Sequence, residues 1–139
     1  MYVFGGRRKT KIISEIFYFS FETNRWAKIK NEDSTKPEPF ESFSLNMDTN
    51  KKAAVFFGGY GKNDEFSNEI FYYFFEENKW VRSKTGEKKP DARAGHAGAI
   101  YKNNLYVFGG SDFNEKFCDM WCFNLDTNIW SELESFNEV

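Results

Sequence analysis

Glu15-Ile16-Phe17-Tyr18-Phe19-Ser20-Phe21-Glu22-Thr23-Asn24-Arg25-Trp26 returns further along the chain as Glu69-Ile70-Phe71-Tyr72-Tyr73-Phe74-Phe75-Glu76-Glu77-Asn78-Lys79-Trp80, with eight of the twelve positions identical. A looser third copy runs from Asp119-Met120-Trp121 to Asn128-Ile129-Trp130. Each copy follows a glycine pair: Gly5-Gly6, Gly58-Gly59 and Gly109-Gly110. From second glycine to tryptophan the offsets are 20, 21 and 20 residues, and the tryptophans stand 54 and 50 residues apart. Self-similarity at a period near 50 marks a repeat architecture, in which each unit buries its apolar face against the next.

Within a unit the pattern predicts four short antiparallel strands with turn signals between them. Tyr2-Val3-Phe4, Ala53-Phe57 and Leu105-Phe108 are short apolar strands that end at the glycines. Strands are expected at about 15–20 and 25–30, at 41–47, at 69–74 and 79–83, and at 119–124 and 129–133. The turn at 21–24 ends on Asn24, a residue that tolerates positive φ. The connector 31–39 carries Pro37 and Pro39, and proline has no N–H to give to a central strand. Ile16-Phe17-Tyr18-Phe19 and Ile70-Phe71-Tyr72-Tyr73 are apolar on both faces, so their sheets need cover on both sides. A four-stranded sheet stacked between two others, the blade of a propeller, supplies that cover.

These residues resemble the kelch repeat family: a glycine pair after an apolar strand, an aromatic strand, a turn with Asn and then Trp. The family's Pro-x-x-Arg-x-Gly-His segment is present in full as Pro90-Asp91-Ala92-Arg93-Ala94-Gly95-His96, and in degenerate form as Pro37-Glu38-Pro39-Phe40-Glu41-Ser42-Phe43. The resemblance covers nearly the whole chain. It implies an all-β fold, an incomplete kelch β-propeller of three consecutive four-stranded blades at about 1–30, 40–83 and 93–133, the first lacking its first strand. It also implies a non-catalytic protein-interaction module or scaffold, with a cytoskeletal or ubiquitin-ligase-type protein as partner. Propellers typically hold about 4–8 blades, so three do not close a ring. Self-association, or missing blades supplied by a longer chain of which this would be a truncated fragment, is the expected remedy. Tyr2-Val3-Phe4 at one end and Trp121-Cys122-Phe123 at the other are expected to be left partly exposed.

The composition fits that reading. Aromatic residues make up 20% of the 139, and the formal net charge is −2. That balance argues against a nucleic-acid footprint, which needs a concentrated basic face. No apolar run reaches the roughly 18 residues of a membrane helix. The N-terminus does not read as a signal peptide, no Asn-x-Ser/Thr acceptor occurs, and two cysteines do not make a disulfide framework. An intracellular, cytoplasmic location is expected.

No enzyme, metal or cofactor is expected. His96 is the only histidine, and catalysis would need a nucleophile and an orienting acid beside it. Cys118 and Cys122 would lie about 13 Å apart on a strand, too far for a disulfide, and with one histidine they do not make a zinc site. Metal-dependent enzymes of kelch-like architecture use several Tyr and His, or Glu-x-x-x-Asp-x-x-x-His; Glu87, Asp91 and His96 are one residue out of step with the latter. Trp26, Trp80 and Trp130 fall at one place in each repeat and are expected in blade-to-blade packing.

Recognition is expected from loops held by this scaffold. Antiparallel strands place the loop after the second strand and the link after the fourth on one side, here 7–14, 31–39, 60–68, 84–92 and 111–117. The candidate binding residues are Arg7, Arg8, Lys9, Tyr60, Asn63, Asp64, Ser111, Asp112 and Asn114.

Overall fold

The computed structural model describes residues 1–38 and 40–133; Pro39 of the first connector and the polar tail 134–139 lie outside the described residues. Thirteen strands and no helix occur among them. β1 (Tyr2–Arg8), β2 (Lys11–Ser20) and β3 (Arg25–Ile29) form a three-stranded first blade. After β4 (Phe40–Glu41) come β5 (Ser44–Asp48), β6 (Ala53–Phe57), β7 (Tyr60–Gly61), β8 (Ile70–Phe74) and β9 (Lys79–Arg82). The second blade is β5-β6-β8-β9, while β4 and β7 form a two-stranded sheet of their own. The third is β10 (Ala97–Tyr101), β11 (Asn104–Phe108), β12 (Met120–Asn124) and β13 (Ile129–Leu133) in sequence order. All pairings are antiparallel. This is the arc of a propeller expected from the repeats.

The turns follow the residues. Asn24, Asn78 and Asn128 adopt φ of +53°, +51° and +58° just before the strand that carries each tryptophan. Lys52 and Lys102 do the same in the hairpins β5–β6 and β10–β11. Gly58, at φ +68°, also needs its missing side chain: a Cβ there would lie 2.6 Å from His96 Cε1 and 2.7 Å from the Arg93 carbonyl oxygen. The glycine pair is thus the seam where one blade's second strand meets the leading segment of the next blade.

That segment is fastened by charge. Arg93 is fully buried and grips Asp119 with two bonds, Nη1–Oδ1 at 2.5 Å and Nη2–Oδ2 at 2.9 Å. It also donates to the carbonyls of Gly109 at 3.0 Å and Asp91 at 2.9 Å, and it lies 4.0 Å above the Phe117 ring. In the second blade Phe40 stands where Arg93 does, so Glu69, the counterpart of Asp119, turns to Arg82 and Lys89 instead.

Side chains alternate across each strand, and the blades stack through unlike faces. Phe4, Ile16 and Ile29 of the first blade pack on Phe56, Tyr73 and Trp80 of the second. The other face of the second blade, with Val55, Phe57 and Tyr72, packs on Leu105, Phe123 and Trp130 of the third. In both contacts the later blade offers its tryptophan. Trp80 and Trp130 are each 3% exposed as a result.

Four expectations are corrected. Trp26 does not pack between blades: it is 56% exposed, because its face points to where a preceding blade would stand. Trp121 and Phe123 are buried rather than left bare, because alternation turns them toward the second blade and leaves Cys122 on the outer face. The stretch 7–14 is not a loop. β1 continues through Gly5-Gly6 with a bulge between Phe4 and Gly6, and Arg7 and Arg8 pair with Ile12 and Lys11. In the other blades the residues after the glycines pair with a leading segment, Tyr60 with Glu41 and Ser111 with Ala94. The first blade has no such segment, so β2 takes its place. For the same reason the strand expected at 41–47 begins only at Ser44, residues 40–41 being spent on β7.

Candidate partner-binding face

The loops beyond the glycines do converge. Ser67 and Arg93 are joined through backbone bonds to Gly59, and Ser111 exchanges two backbone bonds with Ala94. This knits the loops after β6 and β11 to the leading segments on one side of the arc. The connectors are split, however. Asn78, in a tight turn of the other side, donates from Nδ2 to the Lys30 carbonyl at 2.9 Å, and Asp33 accepts from the Trp80 amide at 2.8 Å. The first half of the connector 31–38 therefore runs along β9, and only its end reaches the glycine side.

On that side Tyr60, Phe66 and Phe113 form an aromatic cluster, with ring centroids 5.0, 5.7 and 4.9 Å apart in the pairs 60–66, 60–113 and 66–113. Phe113 is 68% exposed, the apolar apex of the polar loop Ser111-Asp112-Phe113-Asn114-Glu115. The loop is prestructured: Asp112 Oδ1 accepts from the amides of Asn114 at 2.7 Å and Glu115 at 2.8 Å. Those bonds, Glu115 first, hold the Asp112 carboxyl below its usual range. The Tyr60 hydroxyl donates to Asp64, and that bond raises the phenol's pKa.

Beside the cluster Arg7 donates to Glu41, Nε–Oε2 at 2.7 Å and Nη2–Oε1 at 2.5 Å. The arginine's hydrogen bonds, ahead of burial, hold Glu41 below the usual carboxylate range. Arg7, Thr10, Lys11, Tyr60, Lys62 and Asp64 border a groove of about 460 Å³. Of the nine sequence candidates, the structure brings together Arg7, Tyr60 and Asp64 at this groove. Asp112 and Asn114 flank Phe113. Ser111 is tied by its backbone to Ala94. Arg8, Lys9 and Asn63 are exposed, and their side chains make no hydrogen bond among the described residues. Sequence reasoning missed Phe113, Phe66 and Glu41. An aromatic residue inside an otherwise polar loop was the available signal for Phe113.

His96 belongs to the seam, not to this face. It is buried edge-on to Phe57, ring centroids 5.1 Å apart, and neither ring nitrogen has a hydrogen-bond partner among the described residues. Burial first, then the charge of Arg93, lowers its pKa from 6.5 to about 4, against a smaller opposing pull from the Phe57 backbone. The imidazole is neutral at pH 7. Between pH 6.5 and 4 the unfolded chain takes up a proton that the folded chain refuses, so stability falls with pH across that window. Urea unfolding at pH 7 and pH 5 should show His96→Phe losing less than wild type, by on the order of 1–2 kcal/mol. Phe43, in the equivalent place of the second blade, shows that the seam accepts a phenyl ring.

Among the described residues no three His, Cys, Asp or Glu are grouped to hold a metal, and Cys118 and Cys122 are free thiols. No helix among them is long and apolar enough to cross a membrane.

Comparison with known proteins places these features. The model of the KLHDC2/KLHL20/DRC7 Kelch-repeats domain matches residues 1–139. The chain is similar to the Leucine-zipper-like transcriptional regulator 1 homolog of Drosophila melanogaster, 26% identical over 99% of this chain and 15% of that protein. It is similar to Kelch domain-containing protein 1 of Mus musculus, 27% identical over 99% of this chain and 40% of the relative. Protein ral2 of Schizosaccharomyces pombe is 25% identical over 98% of this chain and 27% of its own length. The chain spans well under half of each relative.

Proposed function

Because the chain belongs to the kelch repeat family, we propose that it is a non-catalytic protein-interaction module that binds its partner through the glycine-side loops, with Phe113 at the centre of the contact. The observation that carries this reading is the exposed Phe113 ring, braced edge-on by Tyr60 and Phe66, with the Arg7–Glu41 pair beside Tyr60. An aromatic anchor held on a rigid base with charges around it has the composition of an interaction hot spot. Loops differ between the blades while the sheets repeat, as expected where a scaffold presents recognition. A protein partner of cytoskeletal or ubiquitin-ligase type, met in the cytoplasm, remains the family-based proposal for its identity.

Selection from a peptide-display library against the immobilised chain tests the reading. Binders should lose about 30-fold in affinity on Phe113→Ala, the ratio of a hot spot worth about 2 kcal/mol. Arg8→Glu should weaken acidic binders, and neither change should lower the unfolding midpoint. Lys102→Glu, in a tight turn of the opposite side, should leave binding unchanged. Binding that survives Phe113→Ala and is lost on Lys102→Glu overturns the choice of face.

A further inference from the structure

The two connectors between blades occupy the same place in the repeat with different chemistry. Counting back from Pro37 and Pro90, Lys30 corresponds to Ser83, Asp33 to Gly86 and Thr35 to Lys88. The first connector is bound down on the outer edge of β9: Asp33 Oδ2 accepts from the Trp80 amide at 2.8 Å, and Thr35 Oγ donates to the Trp80 carbonyl at 2.6 Å. Gly86 has no side chain to accept such a bond, and Lys88 holds its ammonium 5.8 Å from the centre of the Trp121 ring instead. The second connector is pinned at its ends. Ser83 Oγ donates to Asn128 at 3.0 Å, and the Pro90 carbonyl accepts from Asn68 at 3.1 Å.

Two depressions lie beside this stretch at the outer rim of the second blade. One, of about 410 Å³, has Tyr72, Phe74 and Val81 among its walls. The other, of about 430 Å³, is bordered by Glu69, Thr85 and Lys89. Arg82, Ser83 and Lys84 border both. Val81 pairs across the ladder with Tyr72, so it belongs to the face that packs on the third blade, yet it is 37% exposed. Residues 82–89 hold four cations, Arg82, Lys84, Lys88 and Lys89, and one carboxylate, Glu87, in a chain of net charge −2. Glu69 gives one carboxylate oxygen to Arg82 and the other to Lys89. Lys84 is exposed and makes no ion pair among the described residues.

We propose that this rim binds an acidic peptide segment of a protein partner, an apolar side chain entering the notch at Phe74 and Val81 while neighbouring carboxylates meet Arg82 and Lys84. Opposite charge steers and orients such a segment. The apolar contact supplies what exposed ion pairs do not, since those contribute little by themselves. A nucleic acid or another simple polyanion would use the cations and leave the notch empty. Every wall comes from the second blade, the connector after it and the turn at Asn128, so the site does not depend on blades beyond these three. It shares no residue with the Phe113 cluster, and the proposal does not rest on what those loops bind.

Fluorescence anisotropy of fluorescein-labelled Glu-Glu-Leu-Glu-Glu amide tests it, beside the same peptide with Ser for Leu and with Lys for each Glu. The Leu peptide should bind about tenfold more tightly than the Ser peptide, as partial burial of one leucine side chain allows. The Lys peptide should not bind. Lys84→Glu should weaken the Leu peptide about tenfold, attraction being exchanged for repulsion of similar size. Val81→Ser should erase the preference for Leu over Ser, and Phe113→Ala should change nothing. Equal binding of the Leu and Ser peptides to wild type means a bare polyanion surface and overturns the proposal. Loss of binding on Phe113→Ala moves the peptide to the loop face and overturns it too, as does no binding at about 1 mM peptide. If Lys84→Glu fails to fold, wild type still decides. Carbodiimide should couple the peptide's carboxylates to Lys84 or Lys89, and coupling that misses both overturns the rim as the site.

Discussion

Trp80→Ala is expected to remove about 3–5 kcal/mol from the unfolding free energy, the cost of emptying a buried indole site. That is a large share of the roughly 5–15 kcal/mol that holds a domain together. The ring lies 6.0 Å from Phe4, 4.9 Å from Phe56 and 5.0 Å from Tyr73, so its loss opens the contact between the first two blades as well as a hole in the second. Trp80→Phe should cost less, because the indole N–H has no acceptor among the described residues and little but volume is given up. Trp26→Ala, at the same repeat position, should change stability by no more than about 0.5 kcal/mol in dilute solution, as exposed sites do. Urea unfolding of the three variants beside wild type decides it. A loss under about 1 kcal/mol for Trp80→Ala contradicts interior packing.

The contrast between Trp26 and Trp80 shows what was legible in the repeats and what was not. Spacing of glycine pairs and tryptophans revealed the blades, their order and the missing strand, because local pattern and blade geometry share one period. It could not say which way the tryptophan faces. Repeat symmetry treats Trp26, Trp80 and Trp130 as equal, and only stacking direction makes the first one bare. The error at 121–123 has the same root: three consecutive residues cannot share a fate on a strand whose side chains alternate.

The loop face was legible as a face but not as a set of residues. Polar character singled out Asp112 and Asn114, yet Asp112 spends one carboxylate oxygen on its own loop's amides. Phe113 between them was passed over, because an apolar residue in a loop has no period to mark it. Arg7 was chosen for charge in a supposed loop. It lies on β1 and reaches the groove because the bulge at the glycines carries the strand on toward Glu41.

Asp119→Ala is the second change expected to be severe. Arg93 is inaccessible to solvent and surrounded by Phe117 and the seam backbone, and among the described residues the carboxylate of Asp119 is its one ionic partner. Burial pushes the Asp119 carboxyl up, but the hydrogen bonds from Arg93 and Trp121 and the arginine's charge outweigh it and hold the pKa below the usual range. A depressed carboxyl lends stability above its unfolded pKa and loses it as pH falls through the folded one. The pair should therefore be intact at neutral pH and fail only below the ordinary carboxylate range, more acid than the window in which His96 acts. Removing one partner leaves a buried unpaired guanidinium, which costs about 3–5 kcal/mol. Arg82→Ala breaks the analogous pair of the second blade, where the arginine is 63% exposed, and should cost no more than about 1 kcal/mol. Denaturation of both variants at pH 7 separates them. Equal losses would mean that the Phe40 substitution in the second blade had moved the ionic seam outward without weakening it, and that Arg93 is held by its carbonyl acceptors and Phe117 rather than by Asp119.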